Sequence, residues 1–130
     1  MADRGLTQRV RPVVGDIAHP DCAPESIDLI RSEGALYQIG IENALRICYD
    51  LLRPGGYLAF TDAVWRKEAP PGDVKASFDS DYPTMGKVSD VLRLMAQGGF
   101  RLIDHFTLPD EACLWYGARS KRHGRHHYLK

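Results

Sequence analysis

Residues 27–65 constrain the fold more than any other stretch of this chain. "IDLIRS" (27–32) is apolar and strand-like, and "YLAFTDAVW" (57–65) is again strand-like. Between them the apolar residues fall at Ile41, Ala44, Leu45, Cys48, Leu51 and Leu52. That is the i, i+3, i+4, i+7 spacing of a helix with one buried face. Arg53-Pro54-Gly55-Gly56 closes the helix, with Pro54 suited to the second position of a type II turn and Gly55 supplying the positive φ of the third. Strand, helix and strand in one run predict a parallel pair. In open parallel sheets ligands sit outside the carboxyl ends of the strands. Arg31, Ser32, Glu33 and Gly34 stand where the first of these strands ends, which makes them the first place to look for chemistry.

The flanking segments extend the alternation. "VRPVV" (10–14) reads as a short strand ending at Gly15-Asp16; Pro12 removes a ladder donor, which suits an edge. Residues 66–83 hold Pro, Gly and scattered charge with a weak apolar pattern, and predict a long excursion above the sheet edge with room for one short helix. Val88, Val91, Leu92 and Met95 restore helical spacing, and Gly98-Gly99 ends that helix. "FRLIDHFTL" (100–108) predicts a further strand, joined through Pro109-Asp110-Glu111 to "ACLWYGA" (112–118) as an antiparallel hairpin. This order is that of one half of a doubly wound α/β sheet.

A chain of 130 residues makes one domain with one core. No apolar run approaches the roughly 20 residues that span a bilayer, and the polar start "MADRGLTQRV" has no signal-peptide character, so no membrane partner is expected. Cys22, Cys48 and Cys113 are odd in number and widely spaced, which favours reduced thiols and a cytoplasmic setting over disulfides or a zinc site. His19 and His105 have no companion at metal-ligand spacing. The net charge is zero, but the last twelve residues, "RSKRHGRHHYLK", hold five Lys and Arg and no acid, leaving 12 basic against 17 acidic residues before them. Residues 1–118 therefore read as the domain and 119–130 as a basic tail. Such a tail is a nucleic-acid or metal contact on one reading and a solvated, disordered terminus on the other; the second is expected, because nothing in it offsets the entropy of ordering.

The runs "VVGDIAHPDCAPESIDLIRSEGALYQIG", "LLRPGGYLAFTDAVW" and "MAQGGFRLIDHFTLP" together resemble the C-terminal half of a class I S-adenosylmethionine-dependent methyltransferase, over roughly residues 6–109. The resemblance lies in order and spacing: an Asp after one strand, a second strand about ten residues on, an "LLRPGG" turn into a third, and a "GGF" exit before a fourth. It implies a partial Rossmann-like α/β sheet with flanking helices and a C-terminal hairpin. It implies S-adenosylmethionine as cofactor and a small molecule as methyl acceptor.

The resemblance also implies roles residue by residue. Asp16 accepts a hydrogen bond from the adenine amino group with the Ile17 backbone beside the ring, a task suited to an acceptor-only carboxylate; the alternative is a turn residue. Ser32 and Gly34 lie beside the methionine part of the cofactor, Gly34 letting backbone approach closely. Glu33 orients or deprotonates a nucleophile and Tyr37 closes the pocket, which makes them the candidate catalytic residues; alternatively Ser32 and Glu33 cap the following helix. Asp62 and Trp65 face the substrate, or serve the structure alone.

One departure from the family bears on competence. The glycine-rich turn after the family's first strand, and the acid that binds the ribose hydroxyls, have no counterpart here; the two strands that carry them would lie between segments 10–14 and 27–32. The strand at 27–32 is then expected to show an exposed apolar edge, which invites pairing. Two classes of function stay open: a truncated or split methyltransferase, and a non-catalytic methyltransferase-like interaction protein. The partners expected are a small-molecule substrate and either a second copy of the chain or a complementing N-terminal half. A nicotinamide enzyme is disfavoured because Gly55-Gly56 precede a strand instead of opening a helix.

Overall fold

The computed structural model describes residues 5–65, Gly72 and residues 82–109. Its centre is a β-α-β unit: β1 (Ile27–Glu33), a 3-10 turn (Leu36–Ile39), α1 (Ile41–Leu51) and β2 (Leu52–Thr61), followed after the long excursion by α2 (Val88–Gln97). The strands pair in parallel, with Leu29 opposite Tyr57, Ile30 opposite Leu58, Arg31 opposite Ala59, Ser32 opposite Phe60 and Glu33 opposite Thr61. This is an α/β arrangement consistent with a partial Rossmann-like methyltransferase sheet.

Helix α1 forms where the apolar spacing places it. Its inward positions Ile41, Ala44, Leu45 and Cys48 are buried, with Ala44 and Leu45 almost fully so. The face covers Leu58 and Phe60 of β2, and the core continues through Leu36, Tyr82 and Met85 to Leu94, Met95 and Phe100. Helix α2 starts with the Asp90 carboxylate accepting the Lys87 backbone N–H at 2.9 Å. It ends with the Gly99 N–H donating to the Ala96 carbonyl and the Phe100 N–H to that of Met95, a Schellman closure. Phe100 then meets Tyr49 edge-on at 5.4 Å, which ties the exit of α2 to α1.

The Arg53-Pro54-Gly55-Gly56 turn is present, but as a bulge inside β2 and not as a linker ahead of it. Pairing begins with Ile27 opposite Leu52 and resumes with Leu29 opposite Tyr57, so the extra residues of β2 loop out. Gly55 takes φ +80°, as the turn requires. A Cβ on Gly56 would lie 2.9 Å from the Arg53 carbonyl oxygen and 3.2 Å from that of Asp28, so the strands close up only over glycine. Arg53 and Asp28 form an ion pair at 2.9 Å across the bulge. β2 also ends at Thr61, earlier than the expected Trp65, and beyond it Ala63 and Trp65 pack against the core.

Two expected strands do not form among the described residues. Segment 10–14 is irregular, with Val13 and Val14 largely or fully exposed; it is short, Pro12 lacks a donor and no described strand lies beside it. Residues 100–108 are likewise outside any strand, with Ile103 and Phe106 exposed. The partner strand expected at 112–118, most of the excursion at 66–83 and the basic tail at 119–130 lie outside the described residues.

Period-2 alternation divides the sheet into unlike faces. Ile30, Ser32, Leu58 and Phe60 are turned to the α1 side and partly buried, while Leu29, Arg31, Glu33, Tyr57 and Ala59 are exposed on the other. Leu29 and Tyr57 are each 58% exposed, although both faces of a parallel sheet are ordinarily covered.

Candidate functional site

The carboxyl ends of β1 and β2 are fastened to each other. The Gly34 N–H donates to the Thr61 carbonyl oxygen at 3.1 Å and to Thr61 Oγ1 at 3.0 Å. Gly34 has φ +58°, and no described residue lies within 4 Å of where its Cβ would be. The chain then folds into the 3-10 turn that carries Tyr37.

Tyr37 and Asp62 come together through a residue that the sequence reading did not single out. The Tyr82 ring stacks on Tyr37 with centroids 4.7 Å apart and planes 18° from parallel, and its hydroxyl donates to Asp62 Oδ2 at 2.6 Å. Tyr82 is buried. Its hydroxyl is pushed far above the ordinary tyrosine range, first by burial and then by its bond to Asp62. Burial likewise pushes the Asp62 carboxyl up, against the Tyr82 hydroxyl and the Ala63 N–H, which favour the ionised form. Asp62 Oδ1 is buried without a partner of hydrogen-bonding geometry among the described residues. Trp65 is half-buried beside the core, and its backbone N–H donates to the Gly86 carbonyl at 2.8 Å.

The other candidates lie apart from this cluster. Glu33 pairs with Arg31 on the exposed face of β1, whereas Ser32 is on the opposite, half-buried face. Neither caps a helix: Ala35 and Gly40 occupy those positions, without side-chain capping bonds. Asp16 is exposed and closes its own turn, Oδ1 accepting the Ala18 N–H at 2.8 Å and Oδ2 lying 3.2 Å from His19 Nδ1. Those two bonds, the backbone one first, hold its carboxyl below the usual range. Ile17 beside it is exposed.

The chemistry of two of these residues is compatible with an S-adenosylmethionine cofactor: Asp16, an acceptor-only carboxylate, keeps lone pairs beyond its bonds to Ala18 and His19, and no described residue fills the space beside the Gly34 backbone. Among the described residues no group of His, Cys, Asp or Glu is arranged to hold a metal ion. No helix among them is long and apolar enough to cross a membrane. Cys48 is buried in α1, which raises its thiol pKa, and Cys22 is exposed; neither is disulfide-bonded. A groove of about 550 Å³ runs between α1 and α2, lined by Glu42, Arg46, Tyr49, Asp50, Leu94 and Gln97. It lies along the helices instead of at the strand ends, and Arg46 is engaged with Asn43 and Asp50.

Tyr82 was hard to find in advance because it ends a segment without periodicity. The available signal was a large aromatic directly before Pro83, a position biased to extended backbone.

Comparison with known proteins bears on the first half of the chain. Residues 2–60 match the family model described as a methyltransferase domain, a span that takes in β1, α1 and β2 to Phe60. A search of the curated proteins returned no match.

Proposed function

We propose, from the match of residues 2–60 to the methyltransferase-domain model, that the chain forms the acceptor-side half of an S-adenosylmethionine-dependent methyltransferase acting on a small molecule. The observation that carries the reading is the family match, which spans β1, α1 and β2 to Phe60 and so takes in the end of β1 that Gly34 fastens to Thr61. When bound, the cofactor supplies an electrophilic methyl group on a sulfonium.

The protein's share of such a transfer is mostly alignment. Asp16 and the Ile17 backbone receive the adenine, and Ser32 and Gly34 border the methionine portion. Tyr37 forms the aromatic wall of the acceptor pocket, with Asp62 and Trp65 on its β2 side. Glu33 is the candidate base, released from Arg31 when an acceptor arrives. No glycine-rich turn or ribose-binding acid occurs in these 130 residues, so a complementing segment supplies them and the chain alone binds the cofactor weakly.

Amide chemical-shift mapping with S-adenosylmethionine at millimolar concentration tests this. The expected result is weak, saturable shifts at Asp16, Ile17 and Ser32 to Gly34. No response at those amides overturns the reading, and micromolar affinity by calorimetry overturns the need for a complementing segment.

The uncovered sheet face favours a second reading. Leu29 and Tyr57 expose apolar surface that a partner would bury, either a second copy or the complementing half, and the fold then serves association without catalysis.

A further inference from the structure

Tyr82 reaches two different strand ends from a third segment. Its ring lies on Tyr37, in the turn that follows β1, and its hydroxyl meets Asp62, which follows β2. We propose that Tyr82 is the positioning residue of the candidate site, holding Tyr37 and Asp62 in one constellation. The inference rests on the methyltransferase reading only for the identity of the molecule that meets this constellation.

Filling the core would require the ring alone. Tyr82 is buried among Leu36, Ile41 and Met85, where phenylalanine would pack equally well, yet its hydroxyl points at a carboxylate oxygen. At 2.6 Å the bond is in the short range typical of an O–H donor and an ionised carboxylate. The other donor to Asp62 is the backbone N–H of Ala63, its neighbour in the chain, and Oδ1 lacks a partner among the described residues, so the Tyr82 hydroxyl is the long-range contact on this carboxyl. The hydroxyl therefore ties the carboxyl to a segment twenty residues further along the chain. The near-parallel stack covers one face of the Tyr37 ring. Neither Tyr37 nor Asp62 is then free to adjust without the other, and the pocket wall is assembled before any ligand arrives.

The test uses the full chain without ligand, so its outcome is independent of cofactor binding. Carboxyl carbons of Asp are followed by NMR against pH in wild type, Tyr82→Phe and Tyr82→Leu, together with the ring resonances of Tyr37. Removing the hydroxyl takes away a donor that favours the carboxylate, so Asp62 in Tyr82→Phe should titrate at higher pH than in wild type. The Tyr37 ring should keep its shifts in Tyr82→Phe and move in Tyr82→Leu. An Asp62 titration identical in wild type and Tyr82→Phe overturns the proposal, as does a Tyr37 ring indifferent to Tyr82→Leu. Should Tyr82→Leu not fold, the Asp62 titration in Tyr82→Phe decides by itself.

Discussion

Gly34 gives its single backbone N–H to two acceptors of Thr61, the carbonyl oxygen at 3.1 Å and Oγ1 at 3.0 Å. A shared donor of this kind holds the end of β1 against the end of β2 just before both chains leave the sheet. The candidate site therefore begins from a fixed base, and each strand delivers its next residues from a defined position.

Replacing Thr61 by Val keeps the β-branched shape and removes Oγ1. Because the carbonyl still accepts, the loss should sit near the low end of the 0.5–1.5 kcal/mol that a hydrogen bond typically contributes, about 0.5 kcal/mol. Urea unfolding measures it, and Thr61→Ser should recover part of the loss. Equal stability of Thr61→Val and wild type would mean that the backbone bond alone carries the clasp.

The bulge in β2 allows two glycines to be told apart. Gly55 has φ +80° and no described residue within 4 Å of where its Cβ would be, so Gly55→Ala should cost chiefly left-handed strain, about 1–2 kcal/mol, and Gly55→Asn less. Gly56→Ala should cost more, because its Cβ would press on the Arg53 and Asp28 carbonyl oxygens, which are backbone and cannot swing away. The same unfolding measurement ranks the three variants. A Gly56→Ala protein more stable than Gly55→Ala would contradict the close approach of the strands.

Much of this architecture was legible in local pattern. Ile41, Ala44, Leu45 and Cys48 announced a one-faced helix because helical burial repeats every three to four residues, and α1 buries those four. The Pro-Gly pair announced positive φ at Gly55, and Gly98-Gly99 the exit of α2. What was illegible depends on non-local partners. Val10 to Val14 and Phe100 to Leu108 have strand-like composition, but a strand exists only when another lies beside it, and composition does not say whether one does. For the same reason Tyr82 escaped notice: a stack on Tyr37 and a bond to Asp62, twenty residues earlier in the chain, leave no periodic trace. Asp16 was visible as an acceptor after a short apolar run, yet its local turn with Ala18 and His19 follows from Asx chemistry that the same sequence equally allowed.

Asp62 makes stability depend on pH in a definite direction. Burial raises its folded carboxyl above the ordinary value, so between that value and the raised one the folded chain holds a proton that the unfolded chain has released. Stability should therefore fall as pH rises through this window, starting near pH 4. Asp62→Asn removes the titrating group and should flatten that part of the profile. Asp16, whose carboxyl is shifted the opposite way, is unchanged in both proteins, so the difference between the two profiles isolates Asp62. A difference that is independent of pH over the carboxylate range would show that Asp62 is not raised.

The exposed face of the sheet leads to a prediction about association. Leu29 and Tyr57 lie opposite each other on paired strands, and Arg31 and Glu33 next to them form an ion pair whose two signs let a second copy pack without net repulsion. Helices α1 and α2 contribute to the core on the other side, so neither covers this face. If a second copy covers it, light scattering on the purified chain should give a mass above that of the 14.6 kDa monomer, falling on dilution. The double variant Leu29→Thr and Tyr57→Thr places residues that favour extended backbone in both strands and removes the apolar surface. It should shift the mass toward monomer while changing the unfolding free energy of the monomer by no more than about 0.5 kcal/mol, as is usual for exposed positions. A wild-type chain that is monodisperse and monomeric, with cooperative unfolding, would exclude self-association through this face and leave the complementing half as the partner that buries it.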